Sequence, residues 1–411
     1  MIAGDTRRGV PAAEGESGAF IYLNAAAAGL MPEGVVASIK AHLDLEARRG
    51  VHWAMADARD ALDETRALAA RLMGVAPTHL AFAEQASRLW ALAFASMSLK
   101  RGDRILIARN DWGGNILNAL QRAICTGAEV VRLPMTGEGM IDVAEVAALV
   151  DERTVAICAS AVASSSGLRQ PVEALGAIPR PDRCLCFVDG AQAIGQFELT
   201  LPGTSADILV APGRKWLRGG RGQAMMALSD RALRLLRPPI IIDQGAGSWC
   251  PDDSFRLWED ARRFETWEFS AAGRLGLGAA LRELNRIGLV NVRAHNSEKL
   301  RCLAANLRDA DGLTVFEGEA ADAAFLTFQH AFLSVDTIVS ELASRGIAIG
   351  SVGRNYARWE LEARGLEKIA RVAPHIYSTD DDIERFTEEL LRLSKRARPH
   401  RGNRTVMSGG L

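Results

Sequence analysis

Little in this chain marks it as secreted, membrane-spanning or polyanion-binding. Cysteines are few, six in 411 residues, at 125, 158, 184, 186, 250 and 302, and no two are spaced Cys-x-x-Cys. Without that spacing neither a zinc site nor a redox dithiol is expected, so no metal is assigned. Scattered thiols suit a reducing, cytoplasmic compartment. An excess of one charge is missing too. Lys and Arg number 49 against 50 Asp and Glu, a net charge of -1, which argues for neither nucleic acid nor membrane as a partner. No apolar run reaches the roughly 20 residues that span a bilayer, and the N-terminus lacks the continuous apolar segment of a signal peptide. There is no internal repeat. No G-x-G-x-x-G follows the first strand, so a dinucleotide-dependent dehydrogenase lacks its fingerprint. What remains is 48% apolar and 24% charged residues, the make-up of an ordinary globular protein, with length for two or three domains.

One stretch organises the rest. Residues 187–222 read FVDGAQAIGQFELTLPGTSADILVAPGRKWLRGGRG. The apolar run Cys184 to Val188 reads as a buried strand, and Asp189 follows directly at its C-terminal end. A second run, Ile208 to Ala211, leads into Gly213-Arg214-Lys215-Trp216. A carboxylate and an amine at the ends of neighbouring strands can face one small molecule. One solution to that geometry is a lysine Schiff base to pyridoxal phosphate, with the aspartate on the pyridinium nitrogen. The plain alternatives are a turn aspartate and a solvated lysine.

The segment resembles the class V aminotransferase and cysteine desulfurase family of fold-type I pyridoxal phosphate enzymes. The resemblance rests on Asp189-x-x-Gln192, on Arg214-Lys215 and on the tail Gly219-Gly220-Arg221-Gly222. It covers roughly residues 20 to 393 and is closest in look to C–S lyase and isopenicillin N epimerase-like members. It implies Lys215 as the catalytic residue that holds the cofactor, with Asp189 and Gln192 at the ring. Ala86 and Ser87, after the strand His79 to Ala83, would hold the phosphate at a helix N-terminus; Ser87 also reads as a plain N-cap. Trp112 stands where relatives stack an aromatic or His on the ring, or it anchors a loop. Ser164 or Ser165, in Ala163 to Gly167, would reach the cofactor's phenolic oxygen or the substrate, or the serines lie in a solvated turn. Thr266, in ARRFETWE, would reach the phosphate of a neighbouring subunit, which implies a homodimer with active sites near the interface; it reads equally as a cap. Arg371, in the last strand, would grip the α-carboxylate of an amino-acid substrate, with a domain-interface ion pair as its rival role. Asn24 and Ala27 belong to a small-residue turn whose N–H groups would approach the same carboxylate. Where relatives carry Ser or Thr, three residues before the lysine, this chain has Pro212, and Arg214 is the candidate to replace that phosphate contact.

Strand and helix alternate from residue 21 onward, the pattern of a parallel sheet with crossover helices and ligands beyond the strand C-termini. The expected fold is α/β: a large domain (21–270) with a mainly parallel seven-stranded-type sheet sandwiched by helices, and a smaller α+β C-terminal domain (271–395). A loose arm (1–20) and a disordered basic tail (396–411) flank them. Residues 238–256 read as a long loop, and Arg354, Asn355, Tyr356 and Arg358 as part of a polar loop.

The resemblance implies chemistry at the substrate Cα. The loop Gly350 to Glu360 contains no cysteine, whereas a desulfurase needs one there to accept sulfur. A β-eliminating C–S lyase on a cysteine-derived substrate is therefore expected first, then a class V aminotransferase, then an epimerase. A catalytically silent binding protein of the same fold is the non-enzyme alternative, against which the pairing of Asp189 with Lys215 speaks.

Overall fold

The computed structural model of the chain describes residues 20–308, 310–317, 323 and 325–397. The arm expected over 1–20 and the tail over 396–411 lie outside the described residues, except for Phe20, Arg396 and Ala397. In chain order the strands are β1 (Ile21–Leu23), β2 (Leu80–Ala83), β3 (Arg104–Ile107), β4 (Glu129–Arg132), β5 (Thr154–Ser160), β6 (Leu185–Asp189), β7 (Ile208–Pro212), β8 (Ala224–Leu228), β9 (Gly247–Trp249), β10 (Phe255–Leu257), β11 (Leu313–Val315), β12 (Leu326–His330), β13 (Ile347–Gly353) and β14 (Lys368–Val372). The first helices are α1 (Glu33–Arg49), α2 (Val51–Asp57), α3 (Arg59–Met73), α4 (Ala86–Ala95) and α5 (Gly113–Thr126).

A seven-stranded sheet, ordered β2-β8-β7-β6-β5-β3-β4, carries the large unit. β4, β3, β5, β6 and β7 pair in parallel, and β8 runs antiparallel to both β7 and β2. Every residue of β5 (TVAICAS) and of β8 (AMMAL) is buried, because helices cover both faces of such a sheet and strands then read as continuous apolar runs. Successive side chains go to opposite faces. Val188, Leu209 and Met225 join one core, while Phe187, Val210 and Met226 join the other with Trp90 and Phe94 of α4.

The second sheet, ordered β1-β13-β14-β12-β11, is antiparallel except where β1 pairs with β13. Its core includes Leu23, Phe328, Ile347, Val372 and Phe386. Two segments sit elsewhere than their sequence placement suggested. β1, placed at the start of the large domain, adds its edge to the small sheet. Helix Ala271–Ile287, placed at the start of the small one, puts Leu277, Leu281 and Leu284 into the core under the large sheet.

Two further readings are corrected. Arg354–Ala363 is helical rather than a polar loop. The segment is kinked at Ala357 (φ -142°, ψ 51°); beyond the kink Glu360 and Leu361 are buried, and the charge of Glu360 is met by Arg109 Nε at 2.9 Å, so a polar sequence still has a face to bury. The stretch 238–256 is not structureless throughout, since β9 and β10 pair antiparallel with Trp249 opposite Phe255.

Candidate active site

β6 and β7 run side by side, with Asp189 paired in register to Val210, so their C-terminal ends open together at one edge of the sheet. Beyond that edge lies a cavity of about 390 Å³ whose lining includes Asp189, Gln192, Arg214, Lys215, Trp112 and Arg371. β2 ends at this edge, which brings Glu84 to Ser87 into the wall. β8 begins there, which brings Gly222 and Gln223. The small sheet closes the opposite side with Ser351 and Val352 of β13 and Arg371 of β14. A volume in this range is that of a small-molecule site.

Asp189 is 6% exposed. Its Oδ1 accepts from the Ala191 amide at 2.8 Å and its Oδ2 from Asn115 Nδ2 at 2.9 Å. Lys215 follows β7 in a tight loop. Gly29 donates its amide to the Arg214 carbonyl at 2.9 Å, and a Cβ at Gly29 would stand 2.5 Å from the Lys215 carbonyl, so only glycine permits this approach. Burial lowers the Lys215 pKa to about 7; Arg371 and Arg214 push the same way and Asp189 opposes them. A large part of the amine population is thus unprotonated near neutrality, the state in which it can add to a carbonyl or take a proton.

The remaining expected residues fall into three groups. Ala86 and Ser87 open α4 in the cavity wall, where the first helical amides have no carbonyl partner in their own helix. Gln192 lines the cavity with both ends of its amide engaged: Nε2 donates to the Ala26 carbonyl at 2.9 Å and Oε1 accepts from Trp216 Nε1 at 2.8 Å. Ser164 lines it with a buried hydroxyl that has no partner among the described residues. Arg371 donates Nη1 to the Ser164 carbonyl at 2.9 Å, while its buried Nε has none. Arg214 donates Nη1 to the Ala27 carbonyl at 2.8 Å. Trp112 is in the wall, and one of its faces is covered by Tyr356, with ring centroids 5.5 Å apart and an interplanar angle of 15°.

The second group is the turn after β1, which requires a correction. Ala27 lines the cavity, but the amides of Ala27 and Ala28 are spent on the Asn24 carbonyl, at 3.0 and 3.2 Å. The turn therefore does not offer a row of free donors. Asn24 itself is not among the lining residues; its Oδ1 is buried without a partner. Thr266 is the third case. It lies outside the cavity and donates its hydroxyl to the Glu268 carbonyl at 2.9 Å.

Sequence reading passed over three residues. Asp111 and Asn115 sit behind Asp189, and Tyr356 covers Trp112. The signal for the first pair was an Asp and an Asn four apart at the start of a helix that follows a strand. Tyr356 had no signal, because it arrives from the small unit.

The donor set fits a phosphorylated pyridine aldehyde. Unpaired helix amides suit a phosphate, a buried carboxylate suits a ring N–H, and a low-pKa lysine lines the same cavity as these groups and Arg371.

A family model described as Aminotransferase class-V matches residues 21–386. A cysteine desulfurase of Pectobacterium carotovorum subsp. carotovorum (strain PC1) is 26% identical over 385 residues, covering 91% of this chain and 93% of the relative. The apo structure of the cysteine desulfurase from Thermococcus onnurineus NA1 superposes with a TM-score of 0.85 at 23% identity, covering 92% of this chain and 95% of that one. A complex between the cystine C–S lyase C-DES and its reaction product cysteine persulfide superposes at 0.81 with 18% identity, covering 90% and 97%. The fold is the one these structures share.

Proposed function

The chain belongs to the class-V aminotransferase family, and from that premise we propose that it is a β-eliminating C–S lyase acting on a cysteine-derived amino acid. It is a pyridoxal-phosphate-dependent enzyme. When bound, the cofactor supplies an electron sink for the pair left at the substrate Cα. Lys215 would hold the cofactor aldehyde until the substrate's own amine takes its place, and the lysine amine so freed would remove the Cα proton. Asp189, kept in place by Asn115 and the Ala191 amide, holds the proton at the ring nitrogen. The Ala86 and Ser87 amides would receive the phosphate, and the free Ser164 hydroxyl the phenolic oxygen. The buried Arg371 fork orients the substrate carboxylate. The Cα–H and Cβ–S bonds break, sulfur leaves as a thiol, and hydrolysis yields pyruvate and ammonia.

One observation carries the lyase reading over sulfur transfer: no cysteine lines the cavity. Cys158, Cys184 and Cys186 are buried inside β5 and before and within β6. Burial pushes the thiols of Cys184 and Cys186 up to about 12, so they offer no thiolate at neutral pH. The segment Gly350 to Glu360 presents Ser351, Val352 and Tyr356 to the cavity instead.

The experiment is an incubation with S-substituted cysteines that follows thiol, pyruvate and ammonia together. Equal amounts of the three support the proposal. Thiol without pyruvate or ammonia overturns it. Oxo acid that depends on an added amino acceptor turns the assignment to transamination, and Cα inversion without product release turns it to epimerisation. A chain that binds no cofactor would be a binding protein. We also retain the cytoplasmic and homodimeric reading, which the unpaired thiols and the exposed Trp53 and Trp267 support. Among the described residues no helix is long and apolar enough to cross a membrane.

A further inference from the structure

Behind Asp189 stands a second carboxylate that the chemistry above does not use. Asp111 follows β3 and is 0% exposed. Its Oδ1 accepts three hydrogen bonds: from the Trp112 amide at 2.6 Å, the Ser160 hydroxyl at 2.7 Å and Asn115 Nδ2 at 3.0 Å. The same Asn115 Nδ2 donates to Asp189 Oδ2 at 2.9 Å. One amide group therefore bridges two buried carboxyls. Asp111 Oδ2 is buried and has no partner among the described residues.

The three donors on Oδ1 favour the ionised form, but they are outweighed by burial, by the neighbouring Asp189 and by an Oδ2 left buried with no donor among the described residues. An ionised group would leave a full share of charge on an unsolvated oxygen, which is costly. Two carboxylates joined through one amide also cannot both ionise freely in a buried site. Asp189 has the second acceptor oxygen satisfied, by the Ala191 amide, and Asp111 does not. Among the described residues no arginine or lysine forms an ion pair with Asp111. The ionisable groups that face it are Asp189 of β6 and the buried thiol of Cys158 on β5, and neither offsets a negative charge.

We propose that Asp111 is a positioning residue that carries the proton of a coupled Asp111–Asn115–Asp189 unit on its Oδ2, and that releasing this proton to water tunes the charge Asp189 presents to the cofactor ring. The part that concerns the ring rests on the reading that Asp189 faces the ring nitrogen. The protonation of Asp111 itself does not depend on it. Burial first, and Asp189 second, raise the Asp111 pKa to about 7, which agrees with the geometry. Below the transition the unit holds one negative charge. Above it the unit holds two, and the second strengthens the hold of the ring nitrogen on its own proton. Electron withdrawal from Cα then increases as pH rises through the transition.

The test is Asp111→Asn, which has the same shape and keeps an acceptor for the Trp112, Ser160 and Asn115 donors but cannot ionise. With pyridoxal phosphate bound, the visible absorption spectrum of the native protein should change between about pH 6 and about pH 8, and that change should be absent from Asp111→Asn. The protein without cofactor gives an independent reading by infrared difference spectroscopy between the same pH values. A protonated-carboxyl C=O band should be present at the lower pH, lost at the higher, and missing from the variant. A band unaltered by the substitution, or a native protein with no such band, overturns the proposal, and the native measurement stands even if the variant does not fold. Failure to bind pyridoxal phosphate at all would count against the proposed function but leave the infrared result to decide on Asp111. Cofactor binding with identical spectral titration in native and variant protein would sink the tuning while sparing the lyase assignment.

Discussion

Lys215 shows at the scale of one residue how the site works against the fold. Its pKa falls from 10.5 unfolded to about 7 folded, chiefly by burial. The unfolded chain therefore binds the proton more tightly, so between those values stability increases with pH, and below about 7 the whole penalty applies. Lys215→Met should raise the melting temperature of the cofactor-free protein most at about pH 6, with the gain fading toward pH 10.5, while abolishing lyase activity. Differential scanning calorimetry across pH checks the first part, and an equal gain at all pH values would refute the desolvation account. Arg371 makes a different demand. With Nη1 anchored to the Ser164 carbonyl, the Nε and Nη2 side of the guanidinium is left to present a fork, and lysine cannot reproduce one. Arg371→Lys should raise KM for the amino acid by about 10- to 100-fold, with a smaller change in kcat, the loss of one or two charge-assisted hydrogen bonds. Apolar runs that read as buried strands put Asp189 and Lys215 near two strand ends, but it was the resemblance to the family that joined them around one cofactor. Asp111 was not singled out, since its meaning lies in an oxygen left without a partner, which no linear pattern records.

At the scale of elements, close packing sets what the chain tolerates. Helix Ala271–Ile287 crosses α1 and α3, and a Cβ at Gly278 would lie 2.2 Å from Thr65 Oγ1 while one at Gly276 would lie 2.6 Å from Ile39 Cγ1. Gly278→Ala should destabilise the protein by about 1–3 kcal/mol through overpacking, read as a lowered denaturant midpoint with an unchanged slope. A neutral outcome would mean that the helices slide apart at no cost. The strands of the large sheet were readable because both faces are covered and their sequences are continuously apolar. Helix Arg354–Ala363 was not, because three of its ten residues are arginine or asparagine within the first five and its buried face includes Glu360. That face makes sense only with Arg109 opposite it.

At the scale of the whole molecule, the small sheet supplies Arg371, Ser351 and Val352 to a cavity whose other wall is the edge of the large sheet, so the site exists only when the two units meet. Exposed aromatic surface suggests a further encounter. Trp53 is 67% exposed and Trp267 54%, and the His52 and Trp267 rings lie 6.0 Å apart, so α2 and the segment bearing Thr266 form one face. We expect a dimer through this face, in which each copy's Thr266 serves the other's cavity. Trp53→Glu should shift the sedimentation of the purified protein toward that of a monomer and weaken cofactor retention; a native chain already sedimenting as a monomer would refute the dimer. By itself the sequence determined the alternation of strand and helix and the carboxylate and amine at two strand ends, because burial periodicity and strand termination are local properties. Only the tertiary structure decided that β1 joins the small sheet, that the amides after it are spent on Asn24, and that two acids share one asparagine. Those outcomes depend on which distant groups are left to satisfy one another once the backbone has closed.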